Sequence, residues 1–418
     1  MNLQHLKYGK NIAIYFGASL IPMALNLITN PFIAMNMSPR DYAIVGFYTS
    51  FSTLIGPIIV FYLVHYYIKE YFRRDESARM ALKATIAKSL IVFSGIVSVV
   101  CFGLLYIYLA YIRQDFTLPI LPYLALMTFA LPFTGLLALE QAQFRMDRRA
   151  DSYFKITVIN GVILICLSLL YVVVFKWGAT GKMLATMTCN VVIFSYLLYR
   201  MREVMRIHTP LKTFIPIFKF CLPLALSATL GYFTHGYTTT YLESLNLTNQ
   251  YGIYVVGATI GAYLSTFSTA INSTFQPDLY ESIAKKLWKR YIKVCLVQLS
   301  LISLIVVAFI VLAPFVIALL TANRYVDSTP YAQILSIVAL TSSIYYIINN
   351  FSIATNHPKL YLVTTILGSI AIVCLLPYAV SNYGFVGGAW MSVISYLIFA
   401  LINVILLIIV KRRAAVNT

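Results

Sequence analysis

Long unbroken apolar runs constrain this chain more than any other feature of its sequence. The stretch "LISLIVVAFIVLAPFVIALL" (301–320) has no polar residue beyond one serine and no alternation. A β-barrel strand would alternate apolar and polar positions, so this run reads as helix. A helix needs about 20 mostly apolar residues to cross the hydrocarbon core of a bilayer. Twelve stretches qualify, near 12–34, 43–67, 86–111, 119–139, 156–175, 179–200, 215–241, 251–275, 295–320, 331–353, 359–380 and 386–410. In lipid the backbone must satisfy its own polar groups, so the spans are helices. Composition agrees: 60% of the 418 residues are hydrophobic, 11% are charged, and the mean hydropathy is +0.82. The expected class is an all-α polytopic membrane protein. The leading "MNLQHLKYGKNIAIYFG" is basic, but its apolar stretch is too long for a signal peptide and no small-residue cleavage site follows, so it reads as the first span.

Charge placement supports this topology. With both termini cytoplasmic, inward connections hold 26 of the 31 Lys and Arg, and outward ones only Arg40, Arg113, Lys176, Lys182 and Arg324. That is the positive-inside pattern, and it accounts for the net charge of +18 together with attraction to anionic inner-leaflet lipid. No basic face outside this membrane context points to nucleic acid. The longest connections, near 68–85, 140–155, 201–214 and 276–294, are basic, expected to be amphipathic, and too short for a catalytic domain. The six cysteines lie in or beside spans with no Cys-x-x-Cys pair, and the five histidines form no ligand cluster. No glycine-rich phosphate loop encodes an ATP-driven pump. The reading is of a chain that is not an enzyme and needs no metal or cofactor.

The chain also repeats itself. Tyr42-Ala43-Ile44 matches Tyr251-Gly252-Ile253, and "WGATGKMLATM" from Trp177 matches "YGFVGGAWMSV" from Tyr383. The two offsets are nearly equal, 209 and 206 residues. Two six-helix bundles in parallel repeat follow, 1–206 and 207–418. Such a repeat implies a pseudo-twofold axis along the membrane normal, a central cavity between bundles, and alternating access by rocking.

Several stretches resemble one family. Pro31-Phe32 followed by "MSPRDYAIVGF" is similar to the first-to-second-helix segment of bacterial polysaccharide (O-antigen and capsule, Wzx-like) flippases, in the MATE-like (MOP) exporter superfamily. Further matches in the same order are "KNIAIYFGAS", "EQAQFRMDRRADSY", "FKFCLPLALSATL", "FQPDLYESIAKK" and "ATNHPKLYLVTTILG". The resemblance implies a flippase that moves an oligosaccharide on undecaprenyl pyrophosphate from the inner to the outer leaflet of the bacterial inner membrane. It also implies polysaccharide polymerase or assembly proteins and a coupling ion as partners. The chain departs from the family pattern in places. Met35 stands where an Arg is usual, Met37-Ser38 replaces Leu-Gly, and Thr238-Thr239 falls where an Asp-Arg pair is common.

Passing a diphosphate and sugars through a low-dielectric slab calls for cations and aromatic rings facing water. All thirteen Asp and Glu read as lying in loops or at helix ends, which argues against the buried carboxylate relay of a drug/proton antiporter. Lys182, one turn inside the sixth span, is the candidate phosphate-facing cation; snorkelling to the interface is the competing reading. Arg40 could meet the emerging headgroup or be solvated, and Lys88 could bind substrate or mark orientation. His235, in "GYFTHGYTTTYLE", could titrate near neutral pH or hold an interhelical hydrogen bond, and His65 is its inner counterpart. Of 32 tyrosines, Tyr232 and Tyr237 are candidates for stacking on sugars, against packing or interfacial anchoring.

Three other functions compete. A cation-coupled small-molecule antiporter would carry an acid in the first span, and "IAIYFGASLIPMALNLITN" has none. A polymerase or lipid-linked glycosyltransferase would need a sizeable outward loop with paired charges. A scaffold of a polysaccharide-assembly complex would tolerate cavity mutations.

Overall fold

The computed structural model describes residues 3–113, 116–209, 214–354 and 359–416, except the side chains of 3–16, 18–20, 72, 235, 277, 284, 353, 354, 359, 411 and 413–416. Helices account for nearly all of them, and no strand occurs among the described residues. The helices are α1 (Leu3–Asn36), α2 (Pro39–Val60), α3 (Leu63–Glu70), α4 (Glu76–Ile107), α5 (Tyr123–Ala130), α6 (Gly135–Met146), α7 (Ala150–Ser168) and α8 (Gly178–Arg200). There follow α9 (Arg202–Arg206), α10 (Phe214–Leu230), α11 (Tyr232–Glu243), α12 (Thr248–Ala284), α13 (Trp288–Leu320), α14 (Thr329–Ser336), α15 (Val338–Ala354) and α16 (Lys359–Val416). Among the described residues, ten helical stretches are long and apolar enough to cross a membrane. One of them, Leu360–Val410, bends at Gly384 into two arms. With those arms counted apart and α1 added, twelve segments match the apolar runs in order.

The connections are shorter than the hydropathy pattern suggests. Residues 140–155 are not a loop: α6 runs to Met146 and α7 starts at Ala150. In 276–294 the helices α12 and α13 leave only a short turn after Ala284, in which Lys286 takes a φ of +54°. Charged residues continue these helices past the apolar stretch by pairing with one another. Lys285 Nζ lies 2.5 Å from Glu281, and Arg290 bonds Asp278 at 2.8 Å. The second span breaks instead of running straight, because Phe61 and Tyr62 both adopt φ of +53°. Phe61 is held there by stacking 4.6 Å from Phe218 and edge-on to Phe93 at 4.9 Å. Cys221 Sγ donates at 3.6 Å to the Tyr62 carbonyl, which also accepts from His65 N at 2.9 Å.

Two compact units emerge, Met1–Thr229 and Leu230–Thr418. The repeat in the sequence divides at 206/207, but α10 packs with the first unit. Ile217, Cys221 and Ala225 of α10 join the core that Leu63, Tyr67, Leu90, Leu139 and Leu197 build.

The first unit ties its two repeat marks together. Ser38 caps α2 in a capping box with Asp41: Asp41 N donates to Ser38 Oγ (3.2 Å), and Ser38 N donates to Asp41 Oδ2 (2.8 Å). The other oxygen, Asp41 Oδ1, accepts from Ala179 N at 2.9 Å, so one carboxylate serves the N-termini of α2 and α8. Gly178 makes this approach possible. Its φ is +51°, and a Cβ there would lie 2.5 Å from Asp41 Oδ1.

In the second unit the same register recurs. Leu247 caps α12, 209 residues after Ser38, without a side-chain cap bond. Gly384, 206 residues after Gly178, has φ of +56°. A Cβ on Gly181 would meet Trp177 Cβ at 3.1 Å, and one on Gly387 would meet Tyr383 Cβ at 3.0 Å. The parallel repeat read from the sequence is thus a repeat of backbone geometry. Within the second unit, Gly257 and Gly261 of α12 lie against the α14 side: a Cβ would meet Ser328 O at 2.7 Å and Ala332 O at 3.3 Å. That is small-residue packing of the kind membrane helices favour.

A side chain at a positive φ costs about 1–2 kcal/mol. A Cβ on Gly384 would meet nothing within 4 Å, whereas one on Gly178 would collide with Asp41. Gly384→Ala is expected to lose only the backbone term, and Gly178→Ala that term plus a cap worth about 1 kcal/mol. The thermal midpoints of the two purified variants check this, and equal shifts would refute the double-cap role of Asp41.

Candidate functional site

Glu140 is the centre of the most highly charged buried site in the first unit. It lies on the α6 row Leu136–Glu140–Phe144, whose i, i+4 spacing puts all three on one buried face. Its side chain is 4% exposed, and Lys83 of α4, itself 7% exposed, bonds Oε2 at 2.7 Å. Arg200, at the end of α8, approaches Oε1 at 3.6 Å and lies over the Phe144 ring at 5.3 Å. Two cations on one carboxylate leave a net positive triad, of which Lys83 and Glu140 are buried and Arg200 is part-exposed. A buried pair of this kind is tolerated only because Coulomb attraction and hydrogen bonding offset desolvation.

Beyond the pair, Asp147 accepts from the Tyr71 hydroxyl, and Arg79 lies 4.8 Å over the Tyr71 ring. Burial, and then the Asp147 carboxylate, push the Tyr71 phenol above its ordinary range. Lys88 belongs to this end of the unit, and its ammonium donates to the Ile207 carbonyl at 2.7 Å, pinning the segment after α9. His65 stacks on Tyr62, 4.4 Å centroid to centroid, just past the break in the second span.

Arg40 and Lys182 come to the opposite end of the same unit. Arg40 is exposed in the first turn of α2, beside the Asp41 that bonds Ala179 N. Lys182 lies one turn along α8 from that bond, half-buried, with no ion-pair or hydrogen-bond partner for its ammonium among the described residues.

The buried polar groups of the second unit include the carboxylate of Glu243, 4% exposed at the end of α11, and several neutral side chains. Tyr232 is buried on α11, its hydroxyl bonded to Thr240. Tyr237 is half-buried between Tyr232 and Tyr241, with ring centroids 6.3 and 6.1 Å away. The side chain of His235 lies outside the described residues. A separate network joins α12, α13 and α15. Gln298 Nε2 donates to Asn272 Oδ1 at 2.6 Å, Asn272 Nδ2 donates to Ser343 Oγ at 3.2 Å, and Ser343 shares a 2.5 Å hydrogen bond with Ser268. No group of three His, Cys, Asp or Glu that could hold a metal occurs among the described residues.

Glu140 and the Gln298 network were missed in the sequence, and the reading that every acid lies in a loop or at a helix end is corrected by Glu140. It was assigned to a loop because charges follow it closely in "EQAQFRMDRR". The i, i+4 row continuing from Leu136 was the available signal. Ser268 and Asn272, four apart inside an apolar run, were the signal for the network.

A family of polysaccharide biosynthesis proteins matches residues 33–330. The chain belongs to that family. No curated protein matches the chain. Among solved structures, it is similar to an inward-facing multidrug resistance MATE family transporter of the MOP superfamily. The TM-score is 0.71 at 13% identity, with 96% of this chain and 99% of that one covered. It is also similar to a MOP superfamily transporter from Pyrococcus furiosus, with TM-score 0.64, 14% identity, and 98% and 96% covered. A Vibrio cholerae MATE transporter is a further match, with TM-score 0.57, 14% identity, and 95% of each chain covered. At these identities the likeness establishes the fold, which is that of MOP-superfamily transporters, built of two repeat halves.

Removing one partner of a buried ion pair costs about 3–5 kcal/mol, whereas replacing both by apolar residues is close to neutral. Glu140→Gln is therefore expected to lower the unfolding midpoint sharply, and Lys83→Met with Glu140→Leu to recover most of it. Thermal unfolding in detergent measures both. A double variant as unstable as the single one would refute the pairwise account of the site's cost.

Proposed function

We propose that this family member is a flippase that carries an undecaprenyl-pyrophosphate-linked oligosaccharide from the cytoplasmic to the outer leaflet of the bacterial inner membrane. The observation that carries the reading is the polysaccharide-biosynthesis family match laid over a chain whose described residues are almost wholly membrane helices. Such a chain has a transport path to offer and no separate catalytic domain. The two repeat halves suit alternating access, with both termini cytoplasmic on the charge pattern. The head group would cross along a hydrated path while the polyprenyl tail stays in lipid, because burying a diphosphate in hydrocarbon is prohibitive.

Lys182 is the cation best suited to the phosphates, since its ammonium is half-buried and unpartnered among the described residues. Arg40, at the same end of the first unit, would receive the head group as it leaves. Tyr232, Tyr237 and His235 of α11 would contribute rings to the sugar, with His65 as a second imidazole. Lys88 keeps its candidate place only if its bond to Ile207 opens during the cycle. Polymerase or assembly proteins and a coupling ion complete the expected partners.

A cation-coupled antiporter is the second reading, and one observation favours it: the buried carboxylate of Glu140 is a group through which protons or cations could be coupled. The Lys83 ammonium at 2.7 Å weighs against it, because the carboxylate already has its counter-charge.

Depleting the protein in its host and assaying on which leaflet the lipid-linked glycan collects tests the function. Inner-leaflet accumulation is expected; outer-leaflet accumulation would instead indicate a polymerase. Lys182→Ala should lower export about ten- to a hundredfold, the loss of one charge-assisted contact of about 1.5–3 kcal/mol, with normal folding. Unchanged export would return Lys182 to snorkelling at the interface.

A further inference from the structure

The flank of the first unit carries a groove whose chemistry is not used by any step above. It runs between the antiparallel helices α7 and α8 and encloses about 430 Å³, within the roughly 300–1,000 Å³ typical of ligand sites. Its walls are apolar along most of their length and cationic at one end. On α7, Lys155 is followed by Ile159 and Ile163, which carry the groove roughly 12 Å along the helix at 1.5 Å per residue. On α8, Val192 leads to Tyr196 and then Arg200 at the same end as Lys155. Ile159, Val192 and Tyr196 are 53%, 45% and 54% exposed, so the furrow opens sideways from the unit rather than into its core.

Both cations at the head of the groove have capacity to spare. Lys155 is exposed, and its ammonium has no partner among the described residues. Arg200 is 40% exposed and reaches Glu140 with one nitrogen at 3.6 Å, beyond a hydrogen bond, which leaves its donors available. A planar guanidinium and a flexible ammonium lining one end of a groove are the usual recognition elements for phosphate. An apolar channel leading away from that point fits a hydrocarbon chain. The Tyr196 ring between them suits the boundary between head group and tail.

We propose that this groove is a specific binding site for one anionic phospholipid, its phosphate between Lys155 and Arg200 and one acyl chain along Ile159, Ile163 and Val192. The occupant is a resident lipid of the leaflet that meets this end of the unit, distinct from the translocated substrate. Charge complementarity carries the choice, because a zwitterionic head group would place a second cation beside Lys155 and Arg200. A phosphate on Arg200 also competes with Glu140 for the guanidinium, so occupancy would tighten the Lys83–Glu140 pair that remains.

Native mass spectrometry of the full chain in detergent, with equal phosphatidylglycerol and phosphatidylcholine, tests the site. Wild type should retain phosphatidylglycerol in preference. Lys155→Glu is expected to cut that retention at least about tenfold, equivalent to losing one charge-assisted contact. Ile159→Trp should cut it similarly with both cations intact, since the ring fills the furrow; neither change touches the buried pair. Lys289→Ala with Lys293→Ala removes two cations from α13 that do not line this groove, and should leave retention unchanged. Four results would overturn the proposal. They are undiminished retention in Lys155→Glu or Ile159→Trp, an equal loss in the α13 variant, displacement by inorganic phosphate alone, and retention of a prenyl pyrophosphate but not of phosphatidylglycerol.

Discussion

Backbone polar groups in a bilayer have no water to turn to, and every other feature of this chain follows from how it meets that requirement. Helix meets it along each span, so the places where helix stops are the places that need an external partner. At two such points a side chain distant in sequence supplies one. Cys221 donates to the Tyr62 carbonyl at the break in the second span, beside the His65 N–H, and Asp41 takes the Ala179 N–H at the start of α8. Gly178 and Gly384 provide the positive φ at the same step of both repeats. Breaks in the helices are therefore built positions, and in the first unit they lie beside the charged and aromatic residues.

The two units handle buried polarity in different ways. The first holds formal charge, Lys83 against Glu140 with Arg200 near, and needs close geometry to offset the cost of desolvating each ion. The second also buries a carboxylate, Glu243, and links α12, α13 and α15 through neutral amides and hydroxyls, from Gln298 through Asn272 to Ser343 and Ser268. Hydrogen bonds of this sort join membrane helices at modest energy and without stranded charge. The glycine turn thus recurs in both halves, while the buried hydrogen-bond networks differ between them.

Much of the architecture was legible before any coordinates. Twelve apolar runs became twelve helical segments, and two short motifs became matching glycine turns. The basic connections were less legible: Glu140 and the helix ends around 276–294 look like loop because charge is read as solvation. Ion pairs such as Lys285–Glu281 and Lys83–Glu140 let helix continue through charged sequence, and no local pattern announces them. Among the candidate residues, Lys182 kept an open ammonium, whereas Lys88 was found holding the Ile207 carbonyl.

The sequence by itself determined how many times the chain crosses, which segments are helix, and that one half echoes the other. Those properties depend on hydropathy and spacing over some twenty residues, and lipid reads them locally. Only the tertiary structure decided which polar groups meet. Asp41 reaches Ala179 across 138 positions, and Lys83 reaches Glu140 across 57. It also placed Lys155 and Arg200 at the head of one furrow. Such pairings depend on how helices stack, a long-range outcome that no single span encodes.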